Sequence, residues 1–334
     1  MIKSLQSWRF FFALLIFLHH SAWNLPAFGS FPVSFFLILS GFVLMKSWGD
    51  RISTMTFKSF FSRRFLRIYP TYLLCLVFAL IVSICIARPI DWIKTIPSFV
   101  MLQAWFPEKA IYFGGNSVSW YVSVIVFCYA VFPFLARVLK KMPDLVFIPV
   151  CLYLCACLVI PKSCQHAFLY ISPLFRSVDF ILGMWLYECI ENGRLREVKK
   201  SIVGLRTSLK LILEAGAFFI CLLAIVLSLR FENAFTLAAF WWCPSLLIIA
   251  VFYIMDGDPG PLTRLLQNKV FVLLGAISYA FYLLHISILG INNYLMDIHP
   301  INYVVDGVLV LSVTIVLAYI VTYYFEPLFK KNSC

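Results

Sequence analysis

An arginine and a histidine close the two ends of one apolar run near the N-terminus. Arg9 precedes Phe10–Leu18, and His19 and His20 follow it. On a helix the eleven-residue step from Arg9 to His20 is three turns plus about 20°, so both side chains fall on one stripe, about 16 Å apart along the axis. His19 falls on another face. Ionisable groups at membrane depth are costly and mark functional sites by default. A guanidinium at one depth and an imidazole deeper on the same stripe suit a pocket that binds an anion and moves a proton.

Three further clusters carry chemistry. In Arg63-Arg64-Phe-Leu-Arg67-Ile-Tyr69-Pro70, Arg64 and Arg67 share a helix face, and guanidinium forks match phosphate oxygens; the plainer reading is anchoring at the inner leaflet. Arg176 and Asp179, three apart within an apolar run, can pair, which lowers the cost of burying either. Ser278, Tyr282 and His285 fall at helical spacing on one polar stripe, with Tyr279 beside it. Such a stripe faces protein or water rather than lipid, as interhelical bonding or as part of a site. Glu326 follows the last apolar run, placed to neutralise one of the arginines. The 11 cysteines show neither a Cys-x-x-Cys pair nor a metal-ligand spacing. Cys75, Cys85, Cys128, Cys151, Cys155 and Cys157 read as small buried hydrophobes, and no metal site is expected.

The elements that must position these groups are membrane helices. Hydrophobic residues make up 63% of the 334-residue chain and charged residues 13%, with a mean hydropathy of +0.94. A soluble domain is nearer half apolar and a quarter charged, at about 45–50% and 25%. The net charge of +12 does not indicate nucleic-acid binding, because the cations sit in loops between apolar runs. About ten runs approach bilayer length: 9–26, 33–49, 70–88, 117–137, 145–161, 169–190, 208–229, 234–255, 270–291 and 303–326. With the N-terminus in the cytoplasm, most of the 27 Lys and Arg residues fall on the cytoplasmic side, as the positive-inside rule requires. Arg88, Lys94, Lys109, Lys162 and Arg230 fall outside. The sequence therefore predicts an all-α, polytopic bundle of about ten spans with both termini cytoplasmic. The aromatic segment 89–116 reads as a re-entrant or interfacial piece on the outer side. The first run lacks a small-residue cleavage site, so it reads as a span and not a signal peptide. No internal repeat is found, so an inverted-repeat transporter has no support.

These residues, in order, resemble the membrane-bound acyltransferase 3 family. Arg9 to His20 is similar to its Arg–ten residues–His signature. Phe35-Phe36-Leu-Ile-Leu-Ser40-Gly41-Phe42 resembles its FF-x-x-SGF segment, and Arg64-x-x-Arg67-Ile-Tyr69-Pro70 its R-x-x-R-x-Y-P element. Ser119-Trp120-Tyr121-Val122-Ser123 resembles the start of its fourth span. Arg176-x-x-Asp179-Phe180-x-x-Gly183 and Gly275-x-x-Ser278-Tyr279-x-x-Tyr282-x-x-His285 resemble its later patterns. Two departures stand out: Ser34 occupies a position that is acidic in many members, and Ser123-Val-Ile-Val-Phe lacks the glutamate that many bacterial members carry after the span-4 tryptophan. Residues 1–334 read as one transmembrane acyltransferase domain with no appended soluble domain.

The resemblance implies transfer of an acetyl group from cytoplasmic acetyl-CoA to a hydroxyl of an extracytoplasmic or lipid-linked glycan (O-antigen, capsule or exopolysaccharide) by a multi-pass protein of the bacterial inner membrane. Acetyl-CoA would be a donor substrate rather than a bound cofactor, and membrane lipids the other partners. Arg9, Arg64 and Arg67, assisted by Arg63, would receive the phosphates of CoA, and the pantetheine arm would reach His20. His20 would act as general base or, alternatively, as an acyl-carrying nucleophile. His285 would orient it or handle a second proton, and hydroxyls of Ser278, Tyr279 and Tyr282 would face the developing oxyanion. His19, Arg176, Asp179 and Glu326 complete the acceptor or supporting set. A carrier or flippase for a lipid-linked saccharide, or a non-catalytic sensor, are the competing readings.

Overall fold

The structure, a computed structural model, describes residues 2–21, 28–231, 233–298 and 302–330. Among these it is helical throughout, without a strand. Each predicted apolar run holds a helix: α1 Lys3–His20, α2 Ser30–Trp48, α3 Phe57–Cys85, α4 Trp120–Lys141, α5 Phe147–Val159, α6 Pro173–Glu191, α7 Thr207–Ser228, α8 Trp242–Ile254, α9 Lys269–Ile298 and α10 Tyr303–Ile320. The end of the first run, 22–26, and Lys331 lie outside the described residues. Six helical segments are long and apolar enough to cross a membrane, and a seventh is gained if Lys162–Ile171 and Pro173–Glu191, bent by 47°, form one span. Two apolar helices, Pro143–Val159 and Ala239–Ile254, are shorter, and α1 has 18 residues, with Lys3 and Arg9 among them.

Glycines set the closest helix crossings. A side chain at Gly41 would strike the Phe180 carbonyl, and one at Gly183 would strike that of Ile38. The backbones of α2 and α6 therefore touch, running in the same direction, as small residues permit in membrane bundles. Gly275 of α9 lies against the Gln6 carbonyl of α1 in the same way. Hydroxyls fasten the same end of α1: Ser7 Oγ donates to Leu266 O at 2.5 Å and Ser4 Oγ to Phe252 O at 3.0 Å. Because α1 and α9 run parallel from that clamp, their far ends carry His20 and His285 side by side.

Two sequence expectations need correction, and one open alternative narrows to a single reading. Helix α3 starts at Phe57, not near Pro70; Thr56 caps it by accepting from Ser59 N. The arginine-rich stretch is itself helical, so the apolar run is shorter than the helix that holds it. Segment 89–116 is re-entrant: its helix Trp92–Phe99 descends beside α3 until Tyr69 and Tyr72 hydroxyls donate to Phe99 O and Ser98 O at 3.2 and 2.5 Å. Finally, Cys85, Cys151 and Cys155 are exposed on the apolar outside of the bundle, whereas Cys75, Cys128 and Cys157 are buried.

Candidate active site

His20 closes α1, and α9 brings His285 against it. The two rings face each other at 5.2 Å between centroids, and His285 Nε2 lies 3.2 Å from His20 Nδ1. Hydrogens can be assigned from their neighbours. His285 Nδ1 lies 2.6 Å from the Tyr282 carbonyl oxygen. A carbonyl only accepts, so this nitrogen carries the hydrogen and the Nε2 of a neutral His285 is an acceptor. His20 Nδ1 also lies 3.0 Å from Ile16 O, another pure acceptor. Both contacts put the hydrogen of a neutral His20 on Nδ1. Its Nε2 is left with a lone pair, the form a proton acceptor needs.

That ring opens on a cavity of about 330 Å³ lined by His19, His20, Ser117, His166, Tyr170 and Tyr282 among others. His285 stands behind it, fully buried. His166 is a residue that sequence reasoning missed. It begins a π-helical turn, His166–Ile171, on the approach to α6, and its Nδ1 lies 3.2 Å from Tyr112 Oη of the re-entrant segment. Burial raises the Tyr112 phenol above its ordinary pKa, which keeps the hydrogen on oxygen. The available signal was positional: an isolated histidine on the same side of the bundle as His20. π-turns concentrate at functional sites. A second one, Val321–Phe325, leads into Glu326.

The arginines gather at the other end. Arg9 interacts electrostatically with Arg67, Tyr121, Tyr129 and Glu326, and Arg64 with Tyr129 and Arg67. Glu326 accepts from Thr71 Oγ1 at 3.2 Å, while Arg64 lies over the Trp48 ring at 5.4 Å. Arg63 and Arg67 are exposed, and Arg64 is half-buried. Tyr121 connects the two ends: it interacts with Arg9, and its ring packs 5.7 Å from that of Tyr282, which lines the histidine cavity.

The remaining candidates hold the bundle together. Ser278 Oγ donates to Gly275 O at 2.9 Å, Tyr279 Oη to Ile68 O at 3.2 Å and Tyr282 Oη to Val118 O at 2.5 Å. With their hydrogens given to carbonyls, Tyr279 and Tyr282 tie α9 to α3 and to the entry of α4, while Ser278 bonds within α9; none offers a donor to an oxyanion in this geometry. Arg176 and Asp179 are both fully buried and pair at 3.4 Å. Arg176 also donates to Ser34 Oγ and Leu237 O, and Asp179 accepts from Trp242 Nε1 at 3.1 Å. Ser34 thus meets Arg176 with a neutral oxygen. In α4, Ser123 Oγ is buried with no hydrogen-bond partner among the described residues. Among the described residues no cluster of three or more His, Cys, Asp or Glu forms a metal site.

Comparison with known proteins identifies the family. The family model described as "Acyltransferase domain" matches residues 2–323. The chain is 28% identical over 331 residues to "Acyltransferase MdmB" of Streptomyces mycarofaciens, with 88% of this chain and 81% of that protein covered. No solved structure matches. An apolar helical bundle matched over nearly its full length by one family model leads to a single conclusion: the chain belongs to the acyltransferase 3 family and is a multi-pass membrane enzyme that transfers acyl groups.

Proposed function

We propose that this enzyme moves an acetyl group from cytoplasmic acetyl-CoA to a hydroxyl of an extracytoplasmic or lipid-linked glycan in the inner membrane of a bacterium. In this reading all ten apolar helices, including the shorter α5 and α8, span the bilayer and both termini are cytoplasmic. Successive helices run in opposite directions, and most cations fall on the Arg9 side, which supports that orientation. Family membership selects an enzyme over the carrier and sensor readings.

The observation that carries the proposal is the placement of His20 Nδ1 against Ile16 O and His285 Nε2 beside a cavity, which turns the free lone pair to Nε2 for proton transfer. Arg9, Arg64 and Arg67 form the cationic end, matched to the phosphates of CoA. The pantetheine arm would then run past Tyr121 and Tyr282 to bring the thioester to His20. His20 Nε2 takes the hydrogen of the acceptor hydroxyl, the oxygen bonds to the acetyl carbonyl carbon, and the carbon–sulfur bond breaks to release CoA. His285 orients His20. The hydroxyls of Ser278, Tyr279 and Tyr282 serve to position α9.

Inverted membrane vesicles supplied with acetyl-labelled CoA test this directly. Label should appear in glycan when the protein is present. Saccharide movement without acetyl incorporation would overturn the proposal.

A further inference from the structure

A second cavity, of about 320 Å³, adjoins the first. Phe113 and Ser117 line both, so a molecule in the second reaches the neighbourhood of His20 across one wall. Each volume lies at the lower end of the range for small-molecule sites, about 300–1,000 Å³. The outer end of α3, the re-entrant segment and α9 enclose it. No residue of the cytoplasmic arginine cluster lines it.

Its polar groups are incompletely partnered. Ser287, two residues beyond His285, is 6% exposed, and its buried Oγ has no hydrogen-bond partner among the described residues. The Arg88 guanidinium faces the same space with no ion pair among the described residues, beside Gly290 of α9. Ser83 Oγ and Thr95 Oγ1 give their hydrogens to Ala79 O and Asp91 O, which leaves their oxygens as acceptors. Asp91 Oδ1 accepts from Lys94 N, and its carboxylate adds a negative edge. A polyol fits this set: each hydroxyl can accept from Arg88 or Ser287 and donate to Ser83 or Thr95, with Phe113 as an apolar wall. A free phosphate would meet Asp91, and a bare acyl chain would leave Ser287 and Arg88 unmet.

We infer that this second cavity is the acceptor subsite: it binds a sugar-like polyol through Arg88, Ser83, Thr95 and Ser287, and presents one hydroxyl past Ser117 to His20. The identification as acceptor subsite rests on the proposed glycan acetylation, whereas polyol binding is measurable without catalysis.

The experiment uses the purified full chain in detergent with methyl glucoside, methyl galactoside and methyl mannoside as probes. At least one should raise the thermal midpoint of the unsubstituted protein by roughly 2 °C or more through preferential binding to the folded state. Arg88→Ala and the cavity-filling Ser287→Leu should lose that rise while keeping any rise produced by CoA. Ser83→Ala, the mildest change, should lose part of it. In the label-transfer assay, Arg88→Ala should raise the acceptor KM about ten-fold without changing the KM for acetyl-CoA. Equal saccharide shifts in the unsubstituted protein and the Arg88 and Ser287 variants, or no shift in any, would overturn the inference. Failure of the transfer proposal reads differently, as loss of acetyl incorporation with the saccharide shift intact.

Discussion

The bundle holds two polar side-chain pairs that differ in their surroundings: Arg176, Asp179 and His285 are fully buried, whereas His20 is exposed. Arg176 and Asp179 take partners from α2, α8 and the segment before α8, although Arg176 Nε and Asp179 Oδ2 lack a hydrogen bond among the described residues. His20 and His285 also bond to each other, but one ring of the pair faces open space. A sealed ion pair can only hold helices in place, because no substrate reaches it. The imidazole pair has one nitrogen, His20 Nε2, without a hydrogen-bond partner among the described residues. Accessible, uncommitted lone pairs distinguish chemistry from architecture here, more than charge or depth does.

The sharpest way to break this comparison is His20→Ala. Removing a general base should lower acetyl transfer by about 10²- to 10⁴-fold with unchanged thermal stability and membrane insertion. Near-normal turnover would move the chemistry elsewhere. The opposite profile is expected of Arg176→Ala, which strands Asp179 and should destabilise the fold by roughly 3–5 kcal/mol. The double change Arg176→Met with Asp179→Leu should recover most of that stability, as read by thermal unfolding in detergent. A fall in turnover with full stability in the single variant would place the ion pair in the reaction. His285→Ala should lower turnover about ten-fold, because His20 Nδ1 retains Ile16 O as a partner. His285→Gln, whose side-chain oxygen still accepts, should recover part of the loss, which a merely space-filling role would not predict. The smallest effect belongs to the other end of the bundle: Arg67→Ala should raise the KM for acetyl-CoA by a factor of about five to ten and leave kcat nearly unchanged.

Much of this was legible in the chain. Runs of apolar residues located α1 to α10, of which six or seven are long enough for a bilayer's thickness. Helical periodicity aligned Ser278, Tyr282 and His285 correctly, but the alignment does not say where a hydroxyl sends its hydrogen. That depended on the carbonyls of Gly275, Ile68 and Val118, two of which lie far along the chain. Gly41 and Gly183 were visible as parts of separate motifs, and only the folded chain shows that each leaves room for the other helix's backbone. His166 stood outside every periodic pattern, because a π-turn and the re-entrant segment position it. Helix α3 was misjudged at its start because hydropathy marks the membrane boundary rather than the end of the hydrogen-bonded coil.

The imidazole chain also stops short. Behind His20 comes His285, and behind His285 comes the peptide oxygen of residue 282, which takes part in a hydrogen bond but has no hydrogen to give and cannot pass one inward. The two rings therefore form a cul-de-sac with room for one extra proton. Any proton that His20 gathers has to depart through the mouth by which it came, so a leaving group or water in that cavity, not a wire through the protein, would reset the ring between turnovers.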